Sequence, residues 1–199
     1  MARPEASQPS LFSHSEPVTL MDDASGRIVY HPACVESETA QTWFEALRDQ
    51  VHWASARRMM YEREVDVPRL MARFRVDDPA LPAPLVPALA IARRVAGCEF
   101  NTIGLNYYRD GNDSVAPHND KLHELIKGEP IALLSLGATR RMTIRSKTLP
   151  RRVFDLDLAA GSLLLMTYTV QLHYDHGIPK SKTPVGPRIS LAFRVRPVR

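Results

Sequence analysis

From Thr102 onward the chain is written in short alternating runs. Thr102–Arg109, Ile131–Leu136, Met142–Arg145, Val153–Leu158, Ser162–Tyr168 and Ile189–Val195 combine β-branched, aromatic and aliphatic residues at strand period, so each predicts a strand. Asp110-Gly111, Gly137, Pro150, Gly161 and Gly186-Pro187 punctuate them as turns. Upstream the period lengthens. Over Glu36–Gln50, Phe44 and Leu47, with Val51 just beyond, fall on one helical stripe, with Ser37 as the expected N-cap. Pro84–Ala96 predicts a second helix, stopped by Arg93-Arg94 in its last turn and Gly97 after it. Gly26–Tyr30 predicts a short strand. Val65–Asp78 contains Pro68, has no clean period, and reads as a long ordered loop or flap. The whole predicts an α+β fold: a sandwich or jelly roll, with supporting helices in the N-terminal half.

With 199 residues the chain is long enough for one domain with a substantial core. Residues 1–16 are polar and Pro/Ser-containing and read as a flexible tail, leaving residues 17–199 as the single domain. No apolar run approaches the roughly 20 residues that cross a bilayer, so no membrane partner is expected. Cys34 and Cys98 are far apart and in no metal spacing, which fits a reducing cytoplasmic setting. The formal net charge is only +4, but cations come in pairs: Arg57-Arg58, Arg93-Arg94, Arg140-Arg141 and Arg151-Arg152, with Lys180 near Lys182. Such pairs suit either a phosphate track or a solvated basic surface.

The chemistry centres on His118-Asn119-Asp120. On a strand, positions i and i+2 share a face, so this imidazole and this carboxylate can grip one ion together. A histidine from a distant strand, His173 or His176, completes a set of two His and one carboxylate. Such a facial triad suits non-haem Fe(II) and leaves open positions for a co-substrate and O₂. In the last strand, alternation puts Arg188, Ser190, Ala192 and Arg194 on one face, opposite Ile189, Leu191 and Phe193. A dicarboxylate needs guanidinium partners of this kind.

These segments resemble the AlkB family of Fe(II)/2-oxoglutarate-dependent dioxygenases. The resemblance rests on Leu105-Asn106-Tyr107-Tyr108-Arg109-Asp110-Gly111, His118-Asn119-Asp120, Pro130-Ile131-Ala132 through Gly137-Ala138, and Gly161-Ser162-Leu163-Leu164. It continues with His176-Gly177-Ile178-Pro179 and Pro187-Arg188 through Arg194. It implies a double-stranded β-helix. It implies His118, Asp120 and His176 as iron ligands, because only His176 is followed by Gly-Ile-Pro. It implies Asn106, Tyr108, Arg188, Ser190 and Arg194 as contacts to 2-oxoglutarate, with Ser190 standing where the family has Asn. The cofactors implied are Fe(II), 2-oxoglutarate and O₂.

The activity implied is oxidative dealkylation of N-alkylated bases in DNA or RNA, releasing aldehyde, succinate and CO₂, as in DNA repair. The substrate base would be flipped out or single-stranded, and the protein a monomer. A substrate-recognition lid is expected around residues 57–82, with Phe74 as the stacking aromatic and Tyr61 and Trp53 behind it. Many members carry an acidic residue two positions after the metal aspartate to read the base. Here that position is Leu122, which offers no acceptor. That departure keeps a second reading open: the same iron chemistry on a protein or small molecule.

Overall fold

The computed structural model describes residues 16–60 and 63–197, with side chains described for residues 16–55 and 67–197. The N-terminal tail and Tyr61 lie outside the described residues and side chains. In chain order the strands are β1 (Val18–Asp23), β2 (Gly26–His31), β3 (Ala54–Met60), β4 (Arg63–Arg75), β5 (Thr102–Tyr108) and β6 (Val115–His118). They continue as β7 (Ile131–Gly137), β8 (Arg140–Ser146), β9 (Val153–Leu158), β10 (Leu163–Met166), β11 (Tyr174–Ile178) and β12 (Arg188–Arg194). The helices are α1 (Ser37–Gln50), α2 (Leu85–Ala96) and the short α3 (Tyr168–His173).

Two antiparallel sheets face each other. The larger runs β1-β2-β10-β7-β12-β5-β4-β3 and the smaller β6-β11-β8-β9. This is the jelly roll the strand pattern predicts. Its centre is β12, held between β5 and β7 and almost wholly buried. Alternation along β12 separates two compartments. Ile189, Leu191 and Phe193 pack with Phe44 and Leu47 of α1 and Leu85 and Ala88 of α2. Ala192 faces the space between the sheets, where Leu133 and Leu164 meet Met142, Ile144 and Tyr174.

Helices α1 and α2 each present one apolar stripe to the outer side of the large sheet. In α1 the buried residues are Ala40, Phe44 and Leu47; in α2 they are Leu85, Ala88, Leu89 and Ala92. The predicted stop of α2 is present: Gly97 takes a left-handed φ of 61° and its N–H returns to the Arg93 carbonyl. The N-cap of α1 is Glu36 rather than Ser37, and no side chain caps it.

The stretch Val65–Asp78 is not an irregular flap. Most of it belongs to β4, a strand of 13 residues paired with β3 on one side and β5 on the other. Pro68 obscured the alternation, but pairing on both sides outweighs one missing donor. The predicted strand Ser162–Tyr168 is also shorter, because the chain turns into α3 after Met166. The strands β6 and β11, of four and five residues, gave no periodic signal.

Close approach at one turn makes a sharp demand. Gly161 has φ +75°, and a Cβ there would lie 2.2 Å from the Val35 carbonyl oxygen. Its own carbonyl accepts the Val35 N–H, fastening the chain ahead of α1 to the large sheet. Gly161→Ala is therefore expected to cost about 2 kcal/mol, seen as a fall of roughly 4–8 °C in a thermal melt.

Candidate metal and co-substrate site

Three candidate ligands converge at the mouth of the roll. His118 ends β6 and pairs across the ladder with His176 of β11, so their rings stand 4.7 Å apart between centroids. Asp120 lies beyond the end of β6, not on it. The i, i+2 strand geometry therefore does not place it; long-range contacts do. The ligand atoms of His118, Asp120 and His176 all lie within 4.8 Å of one another. His173 is exposed at the end of α3 and takes no part in this group.

The protonation states suit a cation. The Nδ1 of His118 sits 3.0 Å from the Ala116 carbonyl, which fixes the proton there and leaves Nε2 as a lone pair. Burial, aided by the neighbouring His118, holds His176 down to about 4, so it is a neutral ligand at pH 7. Burial alone would raise Asp120. The charge and hydrogen bonds of Arg194 outweigh that and keep the carboxylate ionised. Arg194 reaches it with Nε at 2.8 Å and Nη2 at 2.9 Å, a bidentate pair.

Behind the triad lies a tight cavity of about 40 Å³. His118, His176, Asn106, Tyr108, Arg188, Ser190 and Arg194 all line it. At its base is Arg188, 1% exposed, whose Nη2 donates to Ser135 Oγ at 2.9 Å. Its Nε and Nη1 are buried and have no protein partner. The guanidinium also lies 5.4 Å from the centroid of the Tyr108 ring. Desolvation drags this arginine down to about 10. Buried, unanswered N–H groups of a cation are costly, and a carboxylate is the partner that offsets that cost. The residues present therefore fit a divalent metal at the triad and a dicarboxylate between it and Arg188. Arg194 lines the same cavity while its Nε and Nη2 bond Asp120.

In front of the triad a larger cavity of about 550 Å³ is lined by His118, Asp120 and a cationic rim of Arg69, Arg73, Lys121, Arg194 and Arg196. Its volume suits an organic ligand. Neither sequence-predicted substrate contact lines it. Phe74 alternates with Arg73, so it points to the opposite face of β4 and packs on the helix-side core. Trp53 is on that face too, against Tyr107. Leu122 starts a 3₁₀ turn and stays off the wall, whereas Glu124 at the end of the same turn lines it. Arg196 and then Lys121 hold the Glu124 carboxyl down to about 2. Sequence reasoning passed over Arg73, Met71 and Glu124; reading β4 as a strand would have put Met71 and Arg73 on the cavity side.

The chain matches the 2OG-Fe(II) oxygenase superfamily over residues 27–194. It belongs to that superfamily. Human "DNA oxidative demethylase ALKBH2" is 34% identical over 175 residues, covering 76% of this chain and 66% of that protein. The bovine protein of the same name is also 34% identical, with 76% of this chain and 62% of that protein covered. Mouse "Alpha-ketoglutarate-dependent dioxygenase alkB homolog 3" is 28% identical over 196 residues, covering 89% and 68%. These relatives bear out the AlkB resemblance. The chain thus spans 62% and 66% of the length of the two ALKBH2 relatives. Among solved structures, that of OsALKBH1 superposes with a TM-score of 0.61 at 13% identity, over 90% of this chain and 100% of that one. A Pseudomonas putida prolyl-4-hydroxylase gives 0.58 at 12%, over 85% and 93%. Both share the fold. The superfamily's cofactors are Fe(II), 2-oxoglutarate and O₂, and the triad is where this chain offers to hold the metal.

Two outcomes test the assignment. His118→Ala, Asp120→Ala and His176→Ala should each abolish measurable Mn(II) or Fe(II) binding in calorimetry, while His173→Ala binds as the unmodified protein does. Loss in His173→Ala with retention in His176→Ala would exchange the two histidines. Arg188→Ala should leave metal binding nearly intact but weaken 2-oxoglutarate by about 2–5 kcal/mol, read by titrating the metal-loaded variant; unchanged affinity would remove Arg188 from the site.

Proposed function

We propose that the protein is an Fe(II)/2-oxoglutarate-dependent dioxygenase that oxidatively dealkylates N-alkylated bases in DNA or RNA. One observation carries the reading: a two-His, one-carboxylate cluster stands between a pocket ending in an unanswered arginine and an open cavity with a cationic rim. Its relatives named as DNA oxidative demethylases support the substrate class. When bound, the iron with 2-oxoglutarate and O₂ supplies the oxidation of the alkyl carbon, with succinate, CO₂ and aldehyde as products.

The chain's own residues supply the rest. His118, Asp120 and His176 would hold the metal. Arg188, with Tyr108, Ser190 and Asn106 alongside, orients the dicarboxylate. Arg194 keeps Asp120 ionised and aimed. Arg73 is exposed at the cavity and makes no ion pair among the described residues, so it is placed to meet a phosphate; Arg196 is partly committed to Glu124. The β3–β4 hairpin takes the part expected of the recognition lid, since β4 contributes Arg69, Met71 and Arg73 to the cavity wall.

Bases stacked inside a duplex cannot reach this cavity, so the substrate base is flipped out or single-stranded. Both cysteines are free thiols, which supports work in the reducing cytoplasm. Among the described residues no helix is long and apolar enough to cross a membrane.

The deciding experiment is formaldehyde and succinate release from single-stranded oligonucleotides carrying 1-methyladenine or 3-methylcytosine. Both products should appear with Fe(II) and 2-oxoglutarate. Succinate without formaldehyde from every oligonucleotide would move the substrate to a protein or small molecule. Binding should also weaken with salt, and Arg73→Ala should lower the log–log salt slope by about one; an unchanged slope would take Arg73 off the phosphate path.

A further inference from the structure

The carboxylate of the triad raises a question of placement. His118 and His176 are fixed by strand pairing, but Asp120 sits in a turn with no ladder of its own. Something else must hold its main chain. Three side chains converge there. Gln171, 0% exposed in α3, accepts the Asp120 backbone N–H on Oε1 at 3.0 Å. Asn119 folds back to donate from Nδ2 to the Asp120 carbonyl at 2.9 Å. Lys147, at the end of β8, donates from Nζ to Asn119 Oδ1 at 3.1 Å and to the carbonyl of Gln171 at 2.9 Å. It also reaches the Leu172 carbonyl at 3.3 Å and lies 4.0 Å from the Asp175 carboxylate.

We propose that Gln171 and Lys147 are positioning residues that hold the His118–Asp120 turn in metal-ready geometry through the Asp120 main chain and the Asn119 side chain. The inference rests on the triad being a metal site. A buried amide is an expensive way to fill space, because its polar atoms must find partners. The Nε2 of Gln171 has only the Met166 sulfur, 4.0 Å away, whereas its Oε1 has a well-formed bond to the turn. The oxygen is therefore the functional end. Lys147 complements it: the last carbonyls of α3 carry partial negative charge, and one ammonium bridges them to the turn. With Arg194 gripping the Asp120 carboxylate from β12, the main chain and the side chain of this ligand are fixed from separate directions. Partners at this remove from a metal typically govern affinity by about 10–100-fold.

The test is Mn(II) titration of the full chain by calorimetry, with a thermal melt of each variant. Gln171→Met keeps the shape and removes the acceptor; it should lose at least about tenfold in Mn(II) affinity. Gln171→Glu keeps an oxygen at the same reach and should bind as the unmodified protein does. Lys147→Met should weaken binding in the same direction. Leu172→Ala, on an exposed side chain that offers only its carbonyl, should change nothing. Because Lys147 is at the surface, its variant carries the test should Gln171→Met fail to fold. Full affinity in both Gln171→Met and Lys147→Met overturns the proposal. Equal loss in Gln171→Glu and Gln171→Met, with equally lowered melting, also overturns it and makes Gln171 a packing residue. Mn(II) binding that survives His118→Ala unchanged defeats the metal-site reading itself, a different result from failure of the positioning role.

Discussion

The bidentate pair between Asp120 and Arg194 joins the two sheets where the chemistry sits. One partner follows the edge strand of the small sheet and the other ends the central strand of the large one, 74 residues later. Their side chains are only 11% and 14% exposed, so both charges are largely removed from water. Desolvation makes such a pair a poor source of net stability. Its value is geometric: two parallel N–H···O bonds set the plane of the carboxylate, and lone pairs remain free for a cation. Removing either member leaves the other charge stranded, which explains why the mouth of the roll is organised around it.

Arg188 poses the complementary case at the other end of the same strand face. It has one hydroxyl partner, two unanswered N–H groups and an aromatic ring beside it. A cation under this strain gains most from an anion that brings two oxygens, and a monocarboxylate tethered to a metal-binding group satisfies that need. The separation between Arg188 and Arg194 along the strand therefore sorts two jobs, with Ser190 and Ala192 keeping the floor between them small.

Much of this was legible in the residues. Runs of strand-forming residues between turn signals located β5, β7, β9 and β12, and the stripe at Phe44 and Leu47 located α1, because these signals are local in the sequence. Motif order pointed to His118, Asp120, His176 and Arg188. What could not be read depends on partners distant in sequence. β4 was hidden because its pairing, not its pattern, makes it a strand, and Phe74 was misjudged with it: parity decides which face a side chain takes, and parity needs the strand. β6 and β11 are too short to show a period. Glu124 enters the cavity only because a 3₁₀ turn carries Leu122 past the wall. Gln171 and Lys147 have no motif; they matter through contacts spanning 51 and 28 residues.

The tautomer of His118 is set by a carbonyl two residues away, whereas Asp120 depends on Gln171 and Arg194 from the last third of the chain. The first ligand is thus prepared locally, and the second exists as a ligand only once the roll has closed. An ion held by Asp120 and His176 would span strands β7 to β10 as a crosslink, in the manner of a disulfide closing a long loop. Unfolded chains present no such site, so whatever free energy the ion gains on binding is added to the free energy of folding. Metal binding would then bear on stability as well as on chemistry, since the metal-free chain would open more often than the loaded one.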